Sequence, residues 1–233
     1  MERNNRLKRL EYWAKARLGK IAFIDIEYRT KKVWYGSDYG GFYVDPTHLN
    51  KDSIIYSFGI GEDISFDRAV IEKHGCQVFG FDPTPKSISW VEKQDLPAEF
   101  HFYPYGLGGR TEHVKFHLPK NKAHVSGSIF DHQLVSDEDY VSVLLKSFSD
   151  IIKETGHRTI DVLKMDIEGS EYVVIDSILE SDIQINQLLL ETHERFFPDG
   201  KSKGKQFFAT LKAHGYRIFA ISDTYQEISL MKV

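Results

Sequence analysis

From Ile54 to Asp82 the chain runs through a β-branched and aromatic stretch, two glycines, an amphipathic segment, a second apolar stretch and an acid, an order that few folds accommodate. Ile54-Ile55-Tyr56-Ser57-Phe58 reads as a strand, and Gly59-Ile60-Gly61 follows where a strand must turn sharply into a helix. Asp63 to His74 carries Ile64, Phe66, Ala69, Val70 and Ile71 at helical spacing before Gly75 stops the helix. Cys76 to Phe81 is a second strand, with Asp82 at its end. One glycine permits the tight turn, and the other lets backbone approach a ligand at the helix N-terminus. Asp82 stands twenty-one residues past Gly61, near the spacing of about 20 at which a strand-end acid meets ribose hydroxyls. A nucleotide-type ligand is therefore expected on Gly59, Gly61 and Asp82.

The residues beside the glycines bear on which nucleotide. The third glycine of a GxGxxG turn would fall at position 64, which is Ile64, and the turn carries Glu62 and Asp63. A helix N-terminus attracts a pyrophosphate through its free N–H groups and dipole, and two carboxylates there oppose a dianion. S-adenosylmethionine has no phosphate, and its sulfonium and ammonium are cationic, so the acidic turn favours it over NAD or ATP. A net charge of −4 offers no global basic field for nucleic acid. The single cysteine, Cys76, excludes an internal disulfide and any CxxC metal site. No apolar run approaches the roughly 18 residues of a membrane span, and no signal-peptide pattern appears, so a cytoplasmic protein is expected.

Two segments are expected, residues 1–44 and 45–233. In the first, Arg3, Arg6, Lys8, Arg9, Lys15, Arg17 and Lys20 surround Leu7, Leu10, Trp13, Ala14 and Leu18, the pattern of a basic amphipathic helix. Packing on the domain with a solvated polar face is preferred to peripheral membrane contact or an anionic polymer through residues 1–20. Ile21 to Val44, rich in Tyr, Phe and Trp, is expected as a strand or hairpin covering one end of the core. After Asp82, Pro83-Thr84-Pro85 opens a helix around Lys86 to Glu92, and Phe100 to Tyr103 is a third strand. Gly106-Leu107-Gly108-Gly109 then reads two ways: backbone at Gly106 and Leu107 reaching an adenine edge, or a hairpin turn into the alternating run Glu112 to Leu118. Asn121 to Gln133 is polar and suits a substrate-contacting loop. Ser142 to Glu154 reads as a helix stopped by Gly156. Five of the ten histidines lie between His101 and His132, at spacings that match no metal motif, so surface histidines are expected.

Thr159 to Met165 is a strand running into Asp166-Ile167-Glu168-Gly169-Ser170-Glu171, with a helix on to Leu179. Another strand, Asn186 to Leu190, ends in Glu191-Thr192-His193-Glu194; a helix over Lys205 to His214 and strands over Tyr216 to Ile221 and Glu227 to Met231 complete the chain. Alternating strands and helices imply an α/β fold, a doubly wound and mostly parallel sheet of seven strands. Ser222 to Gln226 is too short for a crossover helix, so the last strand is antiparallel. That is the class I methyltransferase arrangement.

Tyr56-Ser57-Phe58-Gly59-Ile60-Gly61-Glu62-Asp63, Phe81-Asp82-Pro83 and above all Leu163-Lys164-Met165-Asp166-Ile167-Glu168-Gly169-Ser170-Glu171 resemble the FkbM family of S-adenosylmethionine-dependent O-methyltransferases. The resemblance spans about Val44 to Val233 and extends to Glu191-Thr192-His193. It implies methylation of a hydroxyl on a sugar, glycan or small natural product. Where the family commonly carries an acid before the glycine loop this chain has Ser57, leaving the methionine ammonium to Glu62 or Asp63. In an open parallel sheet the ligand crevice lies beyond the strands' carboxyl ends, where Asp82, Asp166, Glu168, Glu191 and His193 fall. Methyl transfer to an alcohol requires an aligned nucleophile and removal of its proton. The base candidates are His193, Glu191 and Glu168; His193 has the unperturbed pKa nearest neutrality, whereas a carboxylate must be buried to become basic enough. A second mechanism places a divalent ion, magnesium, on Asp166 and Glu191, by analogy with catechol-type enzymes. The bland alternative is that Asp166 and Glu168 cap the following helix, with Lys164 as an ion-pair partner. The functional alternatives are a catalytically inactive S-adenosylmethionine-binding or interaction module and an NAD-dependent oxidoreductase.

Overall fold

The computed structural model describes residues 10–12, 14, 15, 17, 25–119 and 135–233, with side chains omitted at 117–119 and 135–139. The expected loop Asn121 to Gln133 lies outside the described residues, as does most of the expected basic helix. Leu10, Glu11, Tyr12, Ala14, Lys15 and Arg17 are helical, and Tyr12 stacks on Tyr225 with ring centroids 6.4 Å apart.

The central sheet uses strands β3 (Ile54–Phe58), β4 (Gln77–Phe81), β5 (Phe100–Tyr103), β9 (Thr159–Met165), β10 (Gln184–Glu191), β11 (Tyr216–Ile221) and β12 (Glu227–Lys232). Their order is β11-β12-β10-β9-β3-β4-β5. The pairs from β10 to β5 are parallel, and β12 is antiparallel to both β10 and β11. This is the expected doubly wound class I methyltransferase sheet. Successive buried residues in β3, β9 and β10 follow from helices covering both faces, so each strand is apolar on both sides.

One face packs Tyr56, Phe58, Leu163, Met165, Leu188 and Leu190 against helices α3 (Phe148–Thr155), α4 (Glu171–Leu179) and α5 (Gly200–Ala213). The other packs Ile55, Val78, Val162 and Leu189 under helix α1 (Ser65–His74) and helix α2 (Pro85–Val91). Each such fully buried side chain contributes about 1.5–3 kcal/mol. Local signals end these helices where they stand. Gly75 and Gly156 take left-handed C-caps, and Thr84 caps α2 by accepting from Ser87 N, with Pro85 in the first turn.

The hairpin β1 (Val33–Tyr35) and β2 (Phe42–Val44) lies on a face of this sheet, not at an end of the core as expected. Phe42 and Val44 are buried against Phe66 and Val70. Asp45 N and Ser229 Oγ tie its backbone to β10 and β12 through Gln187 and Tyr43.

One expectation fails clearly. Ser142–Ser147 is not helix but the end of β8 (Val135–Ser147), and α3 starts only at Phe148. The alternation of buried Val143 and Leu145 with exposed Tyr140 and Ser142 is a period of two. β8 pairs antiparallel with β7 (Glu112–Pro119) and parallel with β6 (Gly106–Gly108), forming a second, three-stranded sheet. The glycine-rich stretch is thus an edge strand rather than a hairpin turn. Among the described residues no helix is long and apolar enough to cross a membrane.

Candidate active site

The chain order reverses between β3 and β9: β3 leads outward to β4 and β5, and the return places β9 and β10 on the other side. At this switch point the strands diverge at their carboxyl ends and leave a crevice. A cavity of about 770 Å³ fills it, lined by Gly59, Gly61, Glu62, Asp63, Asp82, Gly106, Leu107, Asp166, Glu168 and Glu191. The expected site residues therefore share one cavity wall, except His193, which lies behind Glu168 and Glu191. Asp38, Tyr39 and Gly40 of the β1–β2 turn, with Phe116, Leu145, Arg195 and Glu227, also line it. Sequence reasoning did not find these, because they come from elements far apart in the chain.

The glycine half is tightly built. Gly59 has φ +82°, and a Cβ there would stand 1.8 Å from the Asp166 carbonyl oxygen, so backbone rather than side chain occupies that space. Gly61 is also left-handed at φ 56°, and its N–H donates to Asp82 Oδ2 at 2.9 Å. Asp82 Oδ1 accepts from Thr84 N at 2.8 Å and Thr84 Oγ1 at 2.7 Å. Burial raises the Asp82 pKa while these donors oppose the rise. Asp63 accepts from Ser37 Oγ and Ser65 N at 2.7 Å each, fastening the β1–β2 turn to the start of α1. Glu62 pairs with Lys86 at 2.9 Å.

At the other end five ionisable groups converge. His193 is 1% exposed, and its Nε2 lies 3.3 Å from Glu168, 3.6 Å from Glu191 and 3.8 Å from Asp166. Its Nδ1 faces Glu171 Oε1 at 3.2 Å. Burial alone would lower the His193 pKa, but Glu171, Glu168 and Glu191 outweigh it and raise the value to about 10. The imidazole is thus held as a cation, unlike the near-neutral base expected from its ordinary pKa. Burial and the charge of Asp166, opposed by His193, raise the Glu191 pKa to about 9.

Neither Asp166 nor Glu168 caps α4. Glu171, the first residue of α4, instead accepts from Ile167 N at 2.8 Å and Gly169 N at 2.9 Å and so holds the preceding loop. Glu168 instead adopts a left-handed φ of 53°, ahead of Gly169 at φ 96°, a strained turn that aims its carboxylate at His193. Lys164, expected beside Asp166, points to Gly59 O at 3.3 Å. Glu171 is the member of this cluster that the sequence hid: it belongs to the acidic motif, but its bond to His193 arises only once β9 and β10 are adjacent.

Comparison with known proteins adds the following. A family profile described as the methyltransferase FkbM domain matches residues 43–218. The human "Probable methyltransferase-like protein 24" is 27% identical over 190 residues, covering 77% of this chain and 44% of its own. The protein of the same name from Rattus norvegicus is 25% identical over 187 residues, covering 77% and 45%. The chain thus spans less than half the length of these curated relatives. Among solved structures, Aeropyrum pernix fibrillarin in complex with S-adenosyl-L-methionine superimposes with a TM-score of 0.44 at 10% identity, over 79% of this chain and 67% of that one. The Methanococcus jannaschii fibrillarin pre-rRNA processing protein gives a TM-score of 0.46 at 11% identity, over 78% and 67%.

Proposed function

The chain belongs to the FkbM methyltransferase family, and from that premise we propose that it catalyses S-adenosylmethionine-dependent methylation of a hydroxyl on a sugar, glycan or other small polar acceptor. The observation that carries this reading is the pairing, within one cavity, of a side-chain-free glycine cradle with a carboxyl group of raised basicity, Glu191. The donor fits the first half. Gly59 and Gly61 leave backbone open to a ligand, Asp82 stands beside them for ribose hydroxyls, and Glu62 and Asp63 present negative charge to a cation. Gly106 and Leu107 supply backbone and apolar surface for a base edge. When bound, S-adenosylmethionine supplies an electrophilic methyl group.

The rest is the work of this chain's own groups. In its ionised form Glu191 is the proton acceptor; with its pKa raised to about 9 it holds a proton near neutral pH, so turnover by this route rises as pH climbs towards 9. Glu168 and Asp166 accept hydrogen bonds from acceptor hydroxyls and align them. His193 does not take the proton: as a buried imidazolium it balances the carboxylates and holds them converged. Its Nε2, cationic at the raised pKa, lies 3.8 Å from Asp166 and 3.6 Å from Glu191. Magnesium prefers an all-oxygen octahedron, so this donor set does not fit it, and no step is assigned to a metal. The wall carries more acids than bases, with Lys164 and Arg195 as its described cations, which favours a neutral polyhydroxyl acceptor over a polyanion such as nucleic acid.

The test is incubation with methyl-labelled S-adenosylmethionine and a panel of saccharides, polyols and phenols. Label is expected on an acceptor oxygen, lost in Glu191→Gln. Label on nitrogen, or binding of NAD in preference to S-adenosylmethionine, would overturn the reading.

A further inference from the structure

Lys164 is a buried cation that the chemistry above does not use. It stands beside Ser57 in the parallel register of β9 and β3, is 5% exposed, and reaches the cavity wall. Its ammonium donates to the Gly59 carbonyl at 3.3 Å and lies 5.4 Å from the Phe42 ring centre. Behind it, Asp67 and Ser57 are buried, with the Ser57 hydroxyl beside the Asp67 carboxyl. Burial raises the Asp67 pKa, and Lys164 counters the rise.

The ammonium's hydrogen bond is to one neutral carbonyl, and Asp67 and Asp63 attract it through space, which leaves N–H donors for an acceptor in the cavity. Such a group invites an anion. The other described cation of the wall, Arg195, is half exposed and lies 3.9 Å from Glu191, at the opposite end. The amino-acid tail of the methyl donor carries one cation and one anion. Asp63 and Asp38 on the same wall suit its ammonium, and Lys164 is the group in that half that suits its carboxylate.

Resting on the methyl-donor reading above, we propose that Lys164 binds the carboxylate of the donor's methionyl tail. Asp67 and Ser57 are positioning residues that hold the ammonium at the cavity wall. This arrangement gives the chain a donor contact on β9.

The experiment is calorimetric titration of the full chain with S-adenosylmethionine and with its decarboxylated analogue. The proteins are wild type, Lys164→Met, and the double variant Lys164→Met/Asp67→Asn, which removes the buried charges together. The acidic wall by itself favours the decarboxylated compound, which lacks a negative charge. A wild-type preference for S-adenosylmethionine of about tenfold or more is expected from a charge-assisted contact, falling to near parity or below in both variants. A wild-type ratio near one overturns the proposal whatever the variants do, and so does a ratio that survives in the double variant. Failure of the wild type to bind either compound removes the methyl-donor reading and this inference with it.

Discussion

The two halves of the cavity use the same residue types to opposite ends. On the β3–β4 side, Asp82 meets three protein donors from Gly61 and Thr84, and its carboxylate holds loop geometry. On the β9–β10 side, Glu168, Glu171, Glu191 and Asp166 crowd one imidazole, and what is stored there is charge. A carboxylate saturated by neutral donors defines shape. Burial raises both pKa values, but at Asp82 neutral donors oppose the rise, whereas at Glu191 the charge of Asp166 adds to it, which takes that group into the range acid–base chemistry uses.

The comparison is tested most severely at Gly59. Gly59→Ala forces a left-handed alanine against the Asp166 carbonyl. A loss of about 3 kcal/mol is expected, read as a melting temperature lower by roughly 6–12 °C, with donor binding abolished. An unchanged melting temperature would mean the two halves are not in contact there.

Next come the two acids. Glu191→Gln should lower turnover by about 10²–10⁴-fold while leaving donor affinity within about threefold, as calorimetry and single-turnover assays would show. Asp82→Asn should do the reverse, weakening donor affinity by about tenfold or more because one amide nitrogen must face a donor. Equal effects of both variants on binding and turnover would erase the distinction.

A titration of stability sharpens it further. In His193 the folded pKa is raised from 6.5 to about 10. Its contribution is therefore full below about pH 6.5 and lost as pH rises through about 10. Glu191 is raised from 4.5 to about 9, so its native state also binds the extra proton, and stability falls from about pH 4.5 through 9. Urea denaturation should accordingly show stability declining between pH 6 and 10, with a shallower slope in Glu191→Gln and in His193→Gln. A flat profile in the wild type would contradict the charge cluster. The smallest effect is expected at Glu62, whose pair with Lys86 is partly exposed: Glu62→Gln should cost at most about 1 kcal/mol and shift donor affinity less than threefold.

Much of this was legible in the residues alone. Strand–glycine–helix order, Gly75 and Gly156 as helix stops, and the short link Ser222 to Gln226 are local signals, since each depends on the conformations open to a few neighbouring residues. The misreading of Ser142–Ser147 as helix came from a short apolar stretch ahead of a real helix, where period two and period 3.6 are hard to separate. The hairpin Val33–Val44 was recognisable, but not the face it covers.

What the sequence by itself determined is the sheet, its switch point and the set of acids brought to one edge, because burial pattern and turn residues act over short spans of chain. What only the tertiary structure decided is the state of those acids. The proton on His193, the basicity of Glu191, the loop held by Glu171 and the turning of Lys164 to Gly59 are sums over groups from β3, β9, β10 and α4. Electrostatic energy depends on distances in space and on exclusion of water, and neither is written at any single position in the chain.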